Sequence, residues 1–224
     1  MLPTQWRNFL SELIGVFTLI FIGAGAAILS KQSDAVSYLG VALAFGVSVT
    51  CIISGISITS GAHLNPVVTL SLCATGRCSY RCLLYYTIAQ IIGACLASAA
   101  LFALFGQRIE AGTTRISTGV SLANGFMVEA ILTFFLVLTV LRTTNALIIG
   151  AMVFLGALIG GHITGAGMNP ARSFGPALFS HYWEYHWVYW LAPLSGALLA
   201  VLVFVLLDKP ATLPKCGDTD STRR

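Results

Sequence analysis

The chain has 224 residues, of which 57% are hydrophobic and only 9% are Asp, Glu, Lys or Arg, against roughly 25% charged in an ordinary soluble domain. So few charges cannot coat a water-soluble globule of this size, which excludes a soluble enzyme, a disordered chain and a coiled coil and leaves a polytopic membrane protein. The formal net charge of +4 comes from basic residues scattered singly, with no basic stripe interleaved with aromatics, so no nucleic-acid partner is expected.

A bilayer core takes about 20 apolar residues per helix. Six stretches reach that length, at about residues 9–29, 37–58, 83–105, 119–141, 146–163 and 187–207. The first ends in small residues, Gly25, Ala26 and Ala27, that resemble a cleavage site. It is nevertheless read as a retained span, because it is too long for the apolar region of a signal peptide and contains Glu12. Two shorter apolar pieces, about 65–75 and 169–179, begin with Asn-Pro and are too short to cross.

Six spans put both termini on one side. The termini and even-numbered loops carry Arg7, Arg77, Arg81, Arg142, Lys209, Lys215, Arg223 and Arg224, whereas the opposite loops carry Lys31, Arg108 and Arg115. The bias places both termini in the cytoplasm. Residues 1–208 are read as a single transmembrane domain and 209–224 as a short polar, disordered cytoplasmic tail. Cys51, Cys73, Cys78, Cys82, Cys95 and Cys216 show neither zinc spacing nor a disulfide framework and read as buried small hydrophobes or reduced thiols. No metal and no cofactor are expected.

Ser60-Gly61-Ala62-His63-Leu64-Asn65-Pro66 aligns with Thr164-Gly165-Ala166-Gly167-Met168-Asn169-Pro170 at an offset of 104 residues. Gly46 and Gly150 lie 19 residues before the two asparagines, and each half opens with an intramembrane glutamate, Glu12 and Glu129. The glutamate offset is 117, so a loop of the second half must be shorter, and the one at 142–146 is shorter than the one at 30–36. The chain therefore reads as two three-span units, about 1–110 and 111–208, each with one half-span. Because three is odd, the second unit enters the membrane inverted. The expected fold is all-α: six transmembrane helices plus two re-entrant half-helices in inverted three-span repeats.

Asn is a good N-cap and Pro is tolerated in the first helical turn. Asn65-Pro66 and Asn169-Pro170 thus each start a half-helix whose positive dipole end points at the bilayer centre. Non-helical backbone at that depth is tolerated only inside protein or along a wet cavity, so the two segments imply a pathway through the chain.

Gly61-Ala62-His63-Leu64-Asn65-Pro66-Val67 and Gly165-Ala166-Gly167-Met168-Asn169-Pro170-Ala171-Arg172-Ser173 resemble the paired Asn-Pro-Ala signatures of the aquaporins, the major intrinsic protein family, over about residues 9–208. The first motif departs from the pattern at Val67, which is expected to shift the midplane constriction slightly. The resemblance implies a passive water channel in the cell membrane (plasma or inner), a homotetramer, and a pore midplane formed by Asn65, Pro66, Val67, Asn169, Pro170 and Ala171. A water held there accepts from both asparagines and turns its hydrogens outward along the file, which breaks the proton wire.

The resemblance also implies, by position, a selectivity filter of Phe45, Ala157, Ala166 and Arg172. Water-selective members commonly carry histidine where Ala157 stands, and His162 is read as a loop histidine. Arg172 is implied to donate to solute and to repel cations, while pinning loop carbonyls. Glu12 and Glu129 resemble glutamates that support the half-helix loops. Ser173, Ala177 and Tyr189-Trp190 look water-type rather than glycerol-facilitator type. Gly23, Gly25, Gly93 and Gly196 are read as close helix-packing positions.

An alternative is a broader pore for hydrogen peroxide, ammonia or glycerol. An ion-coupled secondary transporter is a reading of another class, but its midplane needs titratable or cation-binding groups where this chain has two asparagines. No long adhesive loop suggests a junction protein, and no nucleophile–base pair suggests an enzyme.

Overall fold

A computed structural model describes residues 3–33 and 36–207; the expected tail at 209–224 lies outside the described residues. Among them the fold is all-helical. The eight α-helices are α1 (Thr4–Gln32), α2 (Tyr38–Ser60), α3 (Pro66–Ala74), α4 (Tyr80–Phe105), α5 (Leu122–Arg142), α6 (Ala146–Gly160), α7 (Pro170–Ser180) and α8 (Val188–Leu207). A 3₁₀ segment, Gly106–Gly112, follows α4. The starts obey local chemistry: Ser37, Ser121 and Asn145 cap α2, α5 and α6 through side-chain oxygens, as Asn65 and Asn169 cap α3 and α7.

Five helices, α1, α2, α4, α5 and α8, are long and apolar enough to cross a bilayer. The sixth expected span is shorter than its sequence suggests. α6 has 15 residues, about 22 Å at about 1.5 Å per residue. Its last turn ends at Gly160-Gly161, and residues 161–164 continue as turns.

Packing obeys the inverted repeat. Exchanging α1–α4 with α5–α8 turns the α1–α4 contact into α5–α8, α1–α2 into α5–α6 and α4–α7 into α8–α3, while α2–α6 and α3–α7 map onto themselves. Each half-helix therefore lies against a spanning helix of its own repeat and one of the other.

Glycine sets the closest crossings. A Cβ on Gly93 of α4 would overlap the Leu13 carbonyl of α1, and one on Gly196 of α8 would overlap the Ala130 carbonyl of α5. Leu13 and Ala130 are 117 residues apart, the same offset as the glutamates beside them. At the α2–α6 crossing, Cβ atoms on Gly46 and Gly150 would each press on the other's carbonyl. Gly23 abuts the Phe45 ring, and Gly25 faces Leu101. The rows of large apolar side chains left exposed, such as Ile14, Leu43, Leu96, Phe135, Leu155 and Leu202, face outward from the spanning helices, as a lipid-embedded protein requires.

Candidate functional site

The two loops that lead into the half-helices are built alike. Gly61, Ala62 and Leu64 have φ of 87°, 51° and 57°, and Gly165, Ala166 and Met168 have 84°, 47° and 50°. Four non-glycine residues in the left-handed region cost free energy, and a buried carboxylate offsets it in each half. Glu12 accepts from the His63 N–H (2.9 Å), the Leu64 N–H (2.7 Å), the Ser60 hydroxyl (2.7 Å) and the Gln90 amide (2.8 Å). Glu129 accepts from the Gly167 N–H (2.7 Å), the Met168 N–H (2.8 Å) and the Thr164 hydroxyl (2.6 Å). Both carboxylates are fully buried.

A second pair braces the same loops. The Tyr86 hydroxyl donates to the Ser60 carbonyl and the Tyr189 hydroxyl to the Thr164 carbonyl, each at 2.7 Å. Sequence reasoning missed the bracing by Ser60, Thr164 and Tyr86, although the repeat alignment carries a signal for it: Ser60/Thr164 and Tyr86/Tyr189 match at offsets of 104 and 103. Gln90 has no such echo, since the corresponding position holds Pro193.

With the loop N–H groups drawn onto the glutamates, the asparagines close the structure across the repeats. The Asn65 NH₂ donates to the Met168 carbonyl at 2.9 Å, and the Asn169 NH₂ donates to the Leu64 carbonyl at 2.7 Å. Their side-chain oxygens are used as caps: Asn65 accepts from the Val67 N–H at 3.1 Å, and Asn169 from the Ala171 and Arg172 N–H groups at 3.0 and 3.3 Å. Each amide therefore keeps one further N–H, while its oxygen is turned to the start of its own half-helix.

Both asparagines line a cavity of about 1420 Å³. One mouth carries Arg77, Thr143 and Thr144, and the other Lys31, Arg108 and Arg115. Arg77 and Arg142 both lie over the Phe204 ring at the end of α8, each 4.9 Å from its centroid. Phe45, Ala157, Ala166 and Arg172 all line the same cavity. The Arg172 guanidinium lies over the Phe45 ring at 4.9 Å, and its Nη1 donates to the Gly112 carbonyl at 2.9 Å. The 3₁₀ segment after α4 supplies that acceptor.

Pro66, Val67, Pro170 and Ala171, expected at the pore midplane, do not line this cavity. A helix turns about 100° per residue, so the positions after an inward-facing cap swing away from it. Val67 packs with Val137, Leu141 and Ala197 behind α3, and Ala171 is fully buried in the main core. The extra bulk of Val67 over alanine is thus taken up in helix packing.

His162 lines the mouth near Lys31, with its ring stacked on Tyr38 at 3.9 Å between centroids. The Tyr38 hydroxyl donates to the Ala157 and Leu158 carbonyls at 2.9 and 2.7 Å, so an aromatic pair caps the end of α6 beside Ala157. Ile159 is 63% exposed and faces outward.

No cysteine lines the cavity among the described residues. Mercurials are therefore expected to inhibit the parent protein weakly, whereas Ala166→Cys places a thiol on the cavity wall. Permeability of the variant should fall severalfold with mercuric chloride and recover with thiol reductant. Strong inhibition of the parent would show that one of its own thiols reaches the path.

The fold and cavity define an integral membrane channel built on an inverted repeat, its path set between two opposed helix caps. The sequence model of the family named Major intrinsic protein matches residues 2–204, and the chain belongs to that family of passive channels for water or small solutes. It is 36% identical to Aquaporin-1 of Homo sapiens, over 92% of this chain and 83% of that protein. It is 34% identical to Aquaporin FA-CHIP of Pelophylax lessonae, over 92% of this chain and 84% of that protein. Among solved structures it resembles the aquaglyceroporin from Plasmodium falciparum, with a TM-score of 0.82 and 25% identity over 89% of this chain and 95% of that one.

Proposed function

We propose that the chain is a water channel that conducts in single file past Asn65 and Asn169 and excludes protons and cations. The observation that carries this reading is the way the two amides are held: their oxygens are turned to the helix caps and one N–H of each goes to the opposite loop, which leaves the second N–H of each as a donor. A molecule between them acts as an acceptor, so a water there directs its hydrogens to its neighbours on either side. Phe45, Ala157, Ala166 and Arg172 form the filter, and Glu12 and Glu129 hold the loops.

Residues 1–208 act as one conduction unit, assembled as a homotetramer in the cell membrane (plasma or inner) with both termini cytoplasmic. The shared seat of Arg77 and Arg142 on Phe204 supports that orientation by gathering the basic residues of two cytoplasmic loops on one face. Stopped-flow light scattering on proteoliposomes tests the function: osmotic water permeability should exceed that of empty liposomes, with a low activation energy and no saturation. Permeability no higher than empty liposomes in several lipids would overturn it.

A specific observation favours a wider range of solutes. Ala157 and Ala166 both line the cavity with no side chain beyond a methyl group, and hydrogen peroxide, slightly longer than water, needs that space. Ala157→His is expected to lower the peroxide-to-water permeability ratio severalfold, measured on the same vesicles with a peroxide-sensitive dye and light scattering. An unchanged ratio in folded protein would show that the small residues do not widen the path.

A further inference from the structure

Three cysteines outside the pore converge where α3 hands over to α4. Cys73 lies near the end of α3, Cys78 in the connection and Cys82 in the first turn of α4. The Cys73 and Cys78 sulfurs both donate to the Ser79 carbonyl, at 3.3 and 3.6 Å, which gathers both thiols at the start of α4. Ser79 is the N-cap of α4, yet its side chain makes no capping bond. Its hydroxyl instead lies 3.4 Å from the Cys82 sulfur, and the Tyr85 hydroxyl lies 3.1 Å from the same atom.

Two hydroxyls on one sulfur are donors placed for a thiolate, and helix N-termini are among the sites where cysteine becomes nucleophilic. Burial pushes the neighbouring Cys78 thiol up and keeps it protonated. Cys73 is buried, whereas Cys78 and Cys82 are partly exposed. A supported sulfur beside a second, accessible thiol is the arrangement of a reacting and a resolving cysteine.

We propose that Cys82 and Cys78 form a dithiol site oxidised by hydroperoxide, in which Cys82 reacts and Cys78 resolves. The Cys82 thiolate attacks one oxygen of hydrogen peroxide. The O–O bond breaks, hydroxide leaves and takes up a proton, and Cys82 becomes a sulfenic acid. Cys78 then loses its proton as its sulfur attacks the Cys82 sulfur, the S–O bond breaks, the leaving hydroxide takes that proton and departs as water, and the disulfide forms. Two thiols and one peroxide yield one disulfide and two waters. The site flanks the conduction path: Leu72 near the end of α3 and Arg77 of the connection line the cavity, and neither cysteine does.

Arg81 separates the pair, so trypsin leaves Cys78 and Cys82 on different peptides, residues 78–81 and 82–108. Full-length protein in proteoliposomes is treated with excess hydrogen peroxide, alkylated, digested and analysed by mass spectrometry. Alkylatable thiols should fall from six to four, and the two peptides should appear as one linked species that reductant separates. Cys95 shares the second peptide, so the link must survive Cys95→Ser and vanish with Cys82→Ser. In Cys78→Ser, dimedone should trap a sulfenic acid at Cys82. Six thiols remaining after treatment of the unmodified protein, a peroxide-formed disulfide that contains Cys73 in place of either partner, or dimedone on Cys51 or Cys95 instead of Cys82 would each overturn the assignment. Water permeability equal to the parent's marks the serine variants as folded.

Discussion

Replacing Glu129 with alanine is expected to unfold the second half of the pore. The substitution leaves the Gly167 and Met168 N–H groups without their acceptor, whereas the Thr164 hydroxyl keeps the Gly160 carbonyl at 3.4 Å. Each buried orphan donor costs about 1–3 kcal/mol, so the two N–H groups together cost about 2–6 kcal/mol, a large part of the about 5–15 kcal/mol that holds a typical protein together. Thermal unfolding in detergent should drop by on the order of 10 °C or more, with loss of monodisperse protein. Glu129→Gln keeps one acceptor oxygen but sets an NH₂ against a donor, so it should fall between parent and alanine variant. An alanine variant that melts with the parent would show that the loop holds its own shape.

The second large effect concerns charge. Arg172 is 5% exposed and lines the cavity; its guanidinium donates to the Gly112 carbonyl and lies over the Phe45 ring, and its Nε is buried without a hydrogen-bond partner. A fixed cation in a narrow low-dielectric path raises the barrier for other cations. Arg172→Val removes the charge and leaves the opening. Water permeability should stay within about twofold, while cation or proton leak should rise at least about tenfold, the response to a barrier lowered by about 1.4 kcal/mol. The measurement is a pH-sensitive dye trapped in proteoliposomes under a potassium diffusion potential. A leak equal to the parent's in folded protein would remove Arg172 from the filter.

Much of the architecture was legible in the sequence because membranes impose simple rules. Apolar length marked the spans, and Asn-Pro at the start of two short apolar pieces marked the half-helices to within about a residue. α1 begins at Thr4, earlier than the apolar run suggests, because a helix continues past the hydrocarbon through polar residues such as Gln5, Arg7 and Asn8. α6 stops early at Gly160-Gly161 although Ile163 prolongs the apolar pattern, since hydropathy does not register a turn. In the site, Asn65, Asn169, Phe45, Ala157, Ala166 and Arg172 all line one cavity. The partners that hold them were less visible. Gly112 carries no side chain to advertise its carbonyl, and the stacking of His162 on Tyr38 joins residues 124 positions apart with no counterpart in the other repeat. The prolines and Val67 were assigned to the pore from a contiguous motif, and helical rotation takes them off it.

The exchange of amide bonds between the repeats also orders events during synthesis. Glu12 finds its backbone partners within the first half, so that loop has an anchor as soon as it is made. The Asn65 amide has no such local partner: its acceptor is the Met168 carbonyl, 103 residues further along. At about 5–20 residues per second, the ribosome takes roughly 5–20 s to supply it. For that interval the first half-helix is capped by the Asn65 oxygen, but the Asn65 NH₂ lacks its acceptor until the second re-entrant loop arrives from the opposite side. Truncation anywhere before Met168 therefore leaves the Asn65 NH₂ without its acceptor, on top of the loss of α7 and α8.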